Sequence, residues 1–463
     1  MSETYKFLCG AGKADITPPL GTKLYGYAPA RPAESVGDPI ATTAIKVVSD
    51  EESALLITCD IASLNPEFAV RARKLAGDAA GVKPENVIIN VTHTHSAPNC
   101  SLKSGWGDVE IEYIENILFP GIVKASTEAA ETCRPALMGI GEIESNVNMN
   151  RRELTEEGKI VLGQNPWGPR DPRMTVLSFK DEEGNIIANF IHFACHGTAA
   201  GRNPEITRDW YGVMTDMLDL ETGGISAFYQ GFEGDLGPNC PNGRTTQNYK
   251  TAIRIGGQAG MDAVRAWRSI KEWRKFPVKV LHDTISIPFD PLASKEKAEE
   301  ELAKLDAIYG EGSTVEVGDY ARHAAENDYI HRRNVLAEYA SGEPLKTHFN
   351  FEQSIVTIGP VAILPAPFEV FCEIGLRIRR GSPYPYTLNL CNTHGCFAYL
   401  PTQSDIARGG YEVWHFLLAM RTTYPLPKNT DDWWVRQNLA ILREEEVPTE
   451  EKEVDKLDKG GNS

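Results

Sequence analysis

The chain of 463 residues lacks any hydrophobic run close to the roughly 20 apolar residues that a membrane-spanning helix needs. Its first residues, 1–7, are polar and do not have the pattern of a secretion signal. Positive charge is also scarce, since 47 Lys and Arg stand against 64 Asp and Glu, giving a formal net charge of -17. Such a surface repels nucleic-acid phosphates and anionic lipids. We therefore expect no nucleic-acid partner and no stable membrane anchoring.

The cysteines lack the CxxC spacing of zinc or redox motifs, and their number, nine, is odd. Scattered, unpaired cysteines are typical of free thiols in a reducing compartment, so we expect a cytoplasmic protein. Most of them are interpreted as small buried hydrophobic side chains. Cys195 is the cysteine most worth testing for a functional role, because it lies beside a candidate functional residue, His196.

Short apolar runs of strand length recur along the chain, and each stops near polar residues. The runs are 54–57 before Asp60, 87–91 before His93, 186–194 before His196, 225–229 before Asp235, 354–364 before Glu369, and 386–391 before Tyr399. Helical patterns separate them, from the Asn65-Pro66 start to Gly81 and over 108–132, 257–273 and 294–309. This alternation predicts an α/β fold of mixed β-sheets with surrounding helices. Because ligands of such folds bind beyond the carboxyl ends of strands, we expect the functional site there.

Two histidine pairs are the strongest chemical signals. His93 and His95, in the segment Asn90 to Asn99, alternate at a strand end and project to the same side. His192 and His196 lie four residues apart in the segment Phe190 to Gly197; His192 is deeper in its apolar run and is interpreted as a core residue, His196 as the functional one. Neutral imidazole is the commonest zinc ligand, and a catalytic zinc keeps an open position for water.

Three motifs resemble the neutral/alkaline ceramidase family, in its catalytic N-terminal domain. They are Gly10-Ala-Gly-Lys-Ala-Asp-Ile-Thr-Pro18, Thr92-His-Thr-His-Ser96 and Phe193-Ala-Cys-His-Gly-Thr198. The resemblance extends to Tyr411-Glu412 and predicts a catalytic domain over 1–443, followed by a charged, disordered tail over 444–463. It implies an amide hydrolase with Zn²⁺ as its cofactor.

The zinc ligands that the resemblance implies are His93, His196, Glu369 and Tyr399. Glu369 takes its place only if Pro367-Phe368 is an insertion, and two extra residues precede Tyr399. We expect Glu369 rather than Glu373 to be the acidic ligand. His394, in the enlarged loop before Tyr399, is a further candidate for contact with metal or substrate.

Catalytic roles beside the metal are assigned to His95, Arg151, Tyr411 and Asp209. His95 would donate to an oxyanion or relay a proton, and Arg151 or Tyr411 would position the acyl oxygen. Asp209 follows the second histidine of the resemblance. The general base stays open among His95, Asp209 and two further carboxylates, Asp60 and Asp235.

The segment Gly231 to Asn239 departs from the family, because Gly237 stands where its motif has a serine. We expect metal-activated water to replace the missing hydroxyl, and a serine restored there to suffer from crowding and from a positive φ. After Tyr411 only 52 residues remain, so no C-terminal immunoglobulin-like domain is expected. The predicted substrate is a soluble small molecule rather than membrane ceramide.

Two alternatives remain open at this stage. One is a catalytically silent zinc or small-molecule binding protein, which the loss of the serine would explain. The other is a metal-dependent esterase or a phosphoesterase with two metals, which the additional histidines and aspartates would serve. The sequence leaves the oligomeric state, including a homo-oligomer, undecided.

Overall fold

The structure is a computed structural model that describes residues 6–50, 52–101, 107–309, 319–419 and 421–449. Its strands are β1 Phe7–Asp15, β2 Lys23–Leu24, β3 Arg31–Pro32, β4 Ser35–Val36, β5 Ala41–Ser49, β6 Ser53–Cys59, β7 Val87–Val91, β8 Arg134–Glu144, β9 Asn148–Leu154, β10 Ile160–Asn165, β11 Arg173–Asp181, β12 Ile186–Phe193, β13 Glu205–Ile206, β14 Ile225–Gln230, β15 Leu236–Pro238, β16 Trp273–Arg274, β17 Val278–Pro288, β18 His348–Ile358, β19 Val361–Pro365, β20 Glu369–Val370, β21 Tyr386–Leu390 and β22 Tyr399–Leu400.

Helices are interspersed among these strands along the chain. They are α1 Pro66–Ala80, α2 Ile111–Tyr113, α3 Phe119–Glu131, α4 Trp210–Thr222, α5 Tyr249–Arg268, α6 Lys295–Tyr309, α7 Asp319–Ala340, α8 Cys372–Gly381, α9 Gln403–Arg408, α10 Tyr411–Leu417 and α11 Thr430–Leu442. A π-helical turn, Ile114–Leu118, joins α2 to α3, and a 3₁₀ turn, Pro84–Asn86, precedes β7. The expected α/β fold with mixed sheets is confirmed. No described helix is long and apolar enough to cross a membrane.

A nine-stranded mixed sheet forms the centre of the molecule. Its strand order is β14-β12-β11-β8-β1-β5-β6-β7, with β16 paired to β8. The pairs β6/β7 and β12/β14 are parallel and the other pairs are antiparallel. A second sheet, β17-β18-β19-β21, packs against it through a shared apolar core that includes Leu56, Tyr229 and Ile363.

The two edges of the large sheet meet at their carboxyl ends through side-chain amides. The backbone N–H of Gln230, at the end of β14, donates to Asn90 Oδ1 of β7 at 2.9 Å. Asn90 Nδ2 in turn donates to the carbonyl of Cys391, which follows β21 of the second sheet, at 2.7 Å. We call this junction of Asn90, Gln230 and Cys391 the seam. The seam brings together the carboxyl ends of β7 and β14, which lie at opposite edges of the sheet order, so that the residues that follow them line a common region.

Several local predictions are confirmed, and others need correction. Helix α1 begins as predicted, with Asn65 Oδ1 accepting from Glu67 N, and ends at Gly81 in the left-handed region at φ 63°. Helix α5 begins at Tyr249 rather than Gly257, because the Asn248 side chain caps it by accepting from Thr251 N. The run over 354–364 is two strands, β18 and β19, since Gly359 at φ 56° turns the chain between them.

The predicted tail over 444–463 lies largely outside the described residues. Its first part, 444–449, is described and packs on the protein: Val447 belongs to the core around α11, and Pro448 accepts a hydrogen bond from Gln437 Nε2 at 2.8 Å. The structure thus continues at least six residues past the domain boundary predicted at 443.

Candidate metal centre

His196 follows β12 and is completely buried. Its Nδ1 lies 3.0 Å from the carbonyl oxygen of Glu233 and 2.9 Å from that of Leu236. Because a carbonyl only accepts, Nδ1 carries the proton and Nε2 keeps its lone pair. Burial, helped by the charge of Arg151, lowers the pKa of His196 to about 3, so the ring is neutral. Its Nε2 lies 3.1 Å from Glu369 Oε2.

His93 follows β7 in a strained backbone conformation, with φ at 66°. Its Nδ1 contacts the carbonyl of Ala62, which fixes the same tautomer as in His196. Its Nε2 faces Glu369 Oε2 at 3.4 Å. Two imidazoles with their Nδ1 protons held by backbone carbonyls, and their Nε2 atoms aimed at one carboxylate, have the orientation found in metal sites.

His95 completes a cluster of three imidazoles. Its Nδ1 lies 3.2 Å from the carbonyl of Gly26, and its Nε2 lies 3.2 Å from His93 Nε2. The left-handed φ of Gly26, 97°, is accompanied by a close approach: a Cβ there would come within 2.5 Å of the His95 ring. Because a carbonyl only accepts, His95 carries its proton on Nδ1 and presents Nε2 to the pocket as an acceptor.

Glu369 is brought to the histidines by a short parallel pairing. Strand β20 pairs with β22 so that Glu369 is opposite Tyr399, and Glu369 N donates to the carbonyl of Ala398 at 3.0 Å. The two candidate ligands that follow the second sheet are therefore neighbours. Glu373, by contrast, lies in the first turn of α8 and is absent from the described groups of metal-ligating side chains.

Glu233 belongs to the same cluster, although sequence analysis did not select it. One carboxylate oxygen of Glu233 and one of Glu369 lie within 4.8 Å of each other and of ligand nitrogens of His93 and His196. Glu233 Oε1 accepts from Asn392 Nδ2 at 2.8 Å, whereas Oε2 is buried without a hydrogen-bond partner in the described structure. Burial raises the pKa of Glu233 to about 8, with a further contribution from the Glu369 charge. The signal in the sequence was an acidic residue inside the glycine-rich segment after β14.

Tyr399 and Arg151 lie next to the cluster and contact each other. Arg151 Nη2 donates to Tyr399 Oη at 3.1 Å, and Arg151 Nε donates to Glu412 Oε1 at 2.9 Å. Glu412 also pairs with Arg152, at 2.6 Å, so one buried carboxylate serves two guanidinium groups. Burial and the nearby carboxylate of Glu369 raise the pKa of Tyr399. Tyr411 packs edge-on against Tyr399, with ring centroids 5.9 Å apart.

A pocket opens onto this cluster. The space in it that the centre of a water molecule can reach is about 80 Å³. Chemically active side chains form part of its wall, namely His93, His95, Glu369, Tyr399 and Tyr411. Other parts are formed by Tyr25, Phe397, Ala398, Leu418, Ala419 and Arg421.

The remaining candidates lie elsewhere. Asp209 caps α4, and its carboxylate accepts from the backbone N–H groups of Ala199, Ala200 and Trp210, which leaves it a structural anchor; burial raises its pKa to about 6. His192 is buried, with Nε2 3.0 Å from the carbonyl of Asn389.

Asp60, Asp235 and His394 are also outside the described groups of metal-ligating side chains. Asp60 accepts from Ala41 N at 2.8 Å, and Asp235 accepts from Cys372 N at 2.7 Å. His394 is buried near Phe351, with ring centroids 6.3 Å apart. The structure therefore brings none of the three to the cluster.

Gly237 and Cys195 have structural surroundings. Gly237 lies in β15, outside the left-handed region, so positive φ is the wrong reason for a glycine there. A side chain at position 237 would be crowded by Thr245 and not by groups of the pocket, because its Cβ would come within 2.5 Å of Thr245 Cβ. Cys195 is buried and burial raises its thiol pKa, so it is not an activated nucleophile. All nine cysteines are free thiols.

Comparison with known proteins identifies relatives of this site and fold. Residues 7–254 match the family described as neutral/alkaline non-lysosomal ceramidase, N-terminal. Neutral ceramidase B of Dictyostelium discoideum is 30% identical over 282 residues, which are 53% of this chain and 38% of that protein. Neutral ceramidase of Pseudomonas aeruginosa is 27% identical over 254 residues, or 51% of this chain and 37% of that protein.

The fold comparison covers more of the chain. The crystal structure of neutral ceramidase from Pseudomonas aeruginosa superposes with a TM-score of 0.71 at 19% sequence identity, covering 96% of this chain and 76% of that one. The sequence matches to the curated relatives thus span about two fifths of their length, whereas the fold is shared nearly throughout this chain.

Proposed function

This chain belongs to the neutral/alkaline non-lysosomal ceramidase family, and from that premise we propose that it is a zinc-dependent hydrolase of an amide bond. The observation that carries the proposal is the convergence of His93 Nε2 and His196 Nε2 on Glu369 Oε2, with His93 and Glu369 in the wall of one pocket and His196 buried behind it. The relatives are named ceramidases, and ceramide is an N-acyl compound, which supports an amide as the bond cleaved.

The donor set supports zinc as the cofactor. Two imidazole nitrogens and a carboxylate oxygen, with the Tyr399 phenol beside them, suit a borderline cation better than magnesium or calcium, which prefer all-oxygen sites. Glu233 Oε2, buried without a hydrogen-bond partner in the described structure, is a further oxygen that a cation would satisfy. A bound zinc ion supplies a Lewis acid that polarises a carbonyl and acidifies a water molecule.

The protein groups around the cluster can accept a proton and orient the substrate. The tautomer of His95, with Nδ1 bonded to Gly26, makes Nε2 an acceptor at the pocket wall, so we assign it the role of taking a proton from the attacking nucleophile. Arg151 holds the Tyr399 hydroxyl, and Tyr411 packs against the same ring. These two contacts hold the Tyr399 phenol at the pocket wall, where its hydroxyl can donate a hydrogen bond to the carbonyl oxygen of a bound amide.

The size of the pocket supports a small, soluble substrate. A volume of about 80 Å³ for water centres holds several water molecules, since one needs roughly 10–15 Å³ on this measure. A long acyl chain would need an extended apolar groove, whereas the described wall of this pocket mixes apolar side chains with histidines, Glu369 and Arg421. We therefore place the substrate among N-acyl compounds with small groups on the acyl side.

The test is amine release by the zinc-loaded protein from a panel of N-acyl compounds, including N-acetyl amino acids, short N-acyl amines and a short-chain ceramide. We expect cleavage of at least one small amide, and loss of both cleavage and zinc in His93→Ala and His196→Ala. His192→Ala is the matched control, which should keep its zinc and lose mainly stability. Cleavage confined to esters or phosphoesters, or turnover that does not depend on zinc, would contradict the proposal.

A further inference from the structure

Arg421 is a cation at the pocket wall, and it has no anionic partner among the residues that the structure describes. It follows α10 in the chain and lines the same pocket as His93, Glu369 and Tyr399. Its Nε is buried and makes no hydrogen bond, and no salt bridge to Arg421 is found within the part of the chain that the structure describes. Arg151 and Arg152, in contrast, share the buried carboxylate of Glu412. A half-buried guanidinium left unpaired in a pocket is costly, which makes it a candidate for binding an anion.

The charges around Arg421 show that it acts on the interior of the pocket. Burial raises the pKa values of Tyr25 and Cys396, and the positive charge of Arg421 offsets part of that rise in both. The carboxylate of Glu369 acts on the same two side chains in the opposite sense. The guanidinium of Arg421 and the carboxylate of Glu369 therefore act on the same part of the pocket.

We propose that Arg421 binds a carboxylate of the substrate, so that the substrate class is an N-acyl compound carrying an acidic group; this inference rests on the proposed function. A guanidinium offers a planar fork of N–H donors that matches a carboxylate in two parallel hydrogen bonds. Arg421 is the one unpaired guanidinium among the described residues of the pocket wall. One guanidinium suits one planar carboxylate better than a phosphate, whose higher charge usually needs several donors. The amide would then lie between Arg421 and the histidine cluster.

The experiment measures binding rather than turnover. The probes are mono-hydroxamates of succinic, glutaric and adipic acid, each compared with a twin whose free carboxylate is replaced by a carboxamide. The hydroxamate end is the same in each pair, so the difference in Kd for the zinc-loaded protein, measured by calorimetry, reports the far end alone. We expect the best carboxylate probe to bind about 10- to 100-fold tighter than its twin, as charge-assisted hydrogen bonds do.

Two variants make the test specific to Arg421. Arg421→Gln should remove the preference for the carboxylate probe, while Arg421→Lys, which keeps the charge without the fork, should retain part of it. Lys428→Gln is the matched control, because it removes one positive charge from an exposed side chain that does not line the pocket, and it should leave the preference unchanged.

The outcomes separate this inference from its premise. Equal binding of both twins by the wild type, or a preference that survives in Arg421→Gln, overturns the role of Arg421 and leaves the zinc hydrolase standing. Failure of every hydroxamate to bind overturns both. Cleavage of neutral N-acyl compounds as fast as their acidic counterparts would likewise overturn the inference alone.

Discussion

Replacing Glu233 by glutamine tests whether the second buried carboxylate helps to hold the ion. The side chain is fully buried, and its oxygen lies within 4.8 Å of ligand atoms of His93, His196 and Glu369. At an effective dielectric constant of about 20, a unit negative charge about 4.8 Å from a doubly charged cation contributes about 7 kcal/mol of attraction. Part of this is spent on desolvating the carboxylate and removing its proton. We expect about 3 kcal/mol to remain, or roughly a 100-fold loss of zinc affinity.

The assay is competition for zinc against a chromogenic chelator at pH 7.5. Glu373→Gln is the control, since it makes the same chemical change in the first turn of α8, away from the cluster. Glu369→Gln should lose at least as much affinity as Glu233→Gln. If Glu233→Gln bound zinc within about threefold of the wild type while Glu369→Gln did not, the charge of Glu233 would have no part in holding the ion.

Three further changes should have defined effects. Gly237→Ser should lower the free energy of unfolding by about 1–3 kcal/mol, because the new Cβ meets Thr245, and it should not raise turnover. Adding Thr245→Ala should recover part of the lost stability. A large gain in turnover in Gly237→Ser would contradict this prediction. The Asp60 carboxyl pKa is raised by burial to about 6, so its contribution to stability is complete below about pH 4 and is lost as the pH rises through 6. Asp60→Asn should therefore gain on the order of 2 kcal/mol relative to the wild type between pH 4.5 and 7 in denaturant titrations, and a flat difference would contradict it. Glu412→Gln should cost about 3–5 kcal/mol in the same measurement, because it leaves two buried guanidinium groups without their shared carboxylate; a cost below about 1 kcal/mol would show that the pairs are dispensable.

Local signals predicted those parts of the fold that local interactions decide. The cap of α1 at Asn65 and its end at Gly81 depend on residues a few positions apart, and both were readable. The boundary of α5 was missed because Asn248, its cap, lies in a loop rich in polar residues that offers several equivalent caps. Helix α7, Asp319–Ala340, was not predicted, since its charged residues give little apolar periodicity.

The candidate site divides in the same way. His93 and His196 could be selected because histidines at strand ends are rare enough to stand out. Glu233 could not, because a carboxylate in a glycine-rich loop has no metal-binding partner nearby in sequence, and only the meeting of strand ends brings it to the histidines. Asp209 had the residue type of a catalytic acid, but three backbone N–H groups that converge on it through the fold give it a structural role.

The seam of Asn90, Gln230 and Cys391 gives a bound ion a mechanical role. One edge of the large sheet leads to His93, the strand beside its other edge leads to His196, and Glu369 follows the second sheet. An ion held by these three side chains would be a removable cross-link between segments that hydrogen bonds also join there, among them Cys391 N to the Gln230 carbonyl at 3.0 Å and His95 N to the Gly197 carbonyl at 3.2 Å. Stripping it should let the N–H groups of Gln230 and Cys391, which close the seam, exchange with solvent sooner than those in the middle of either sheet.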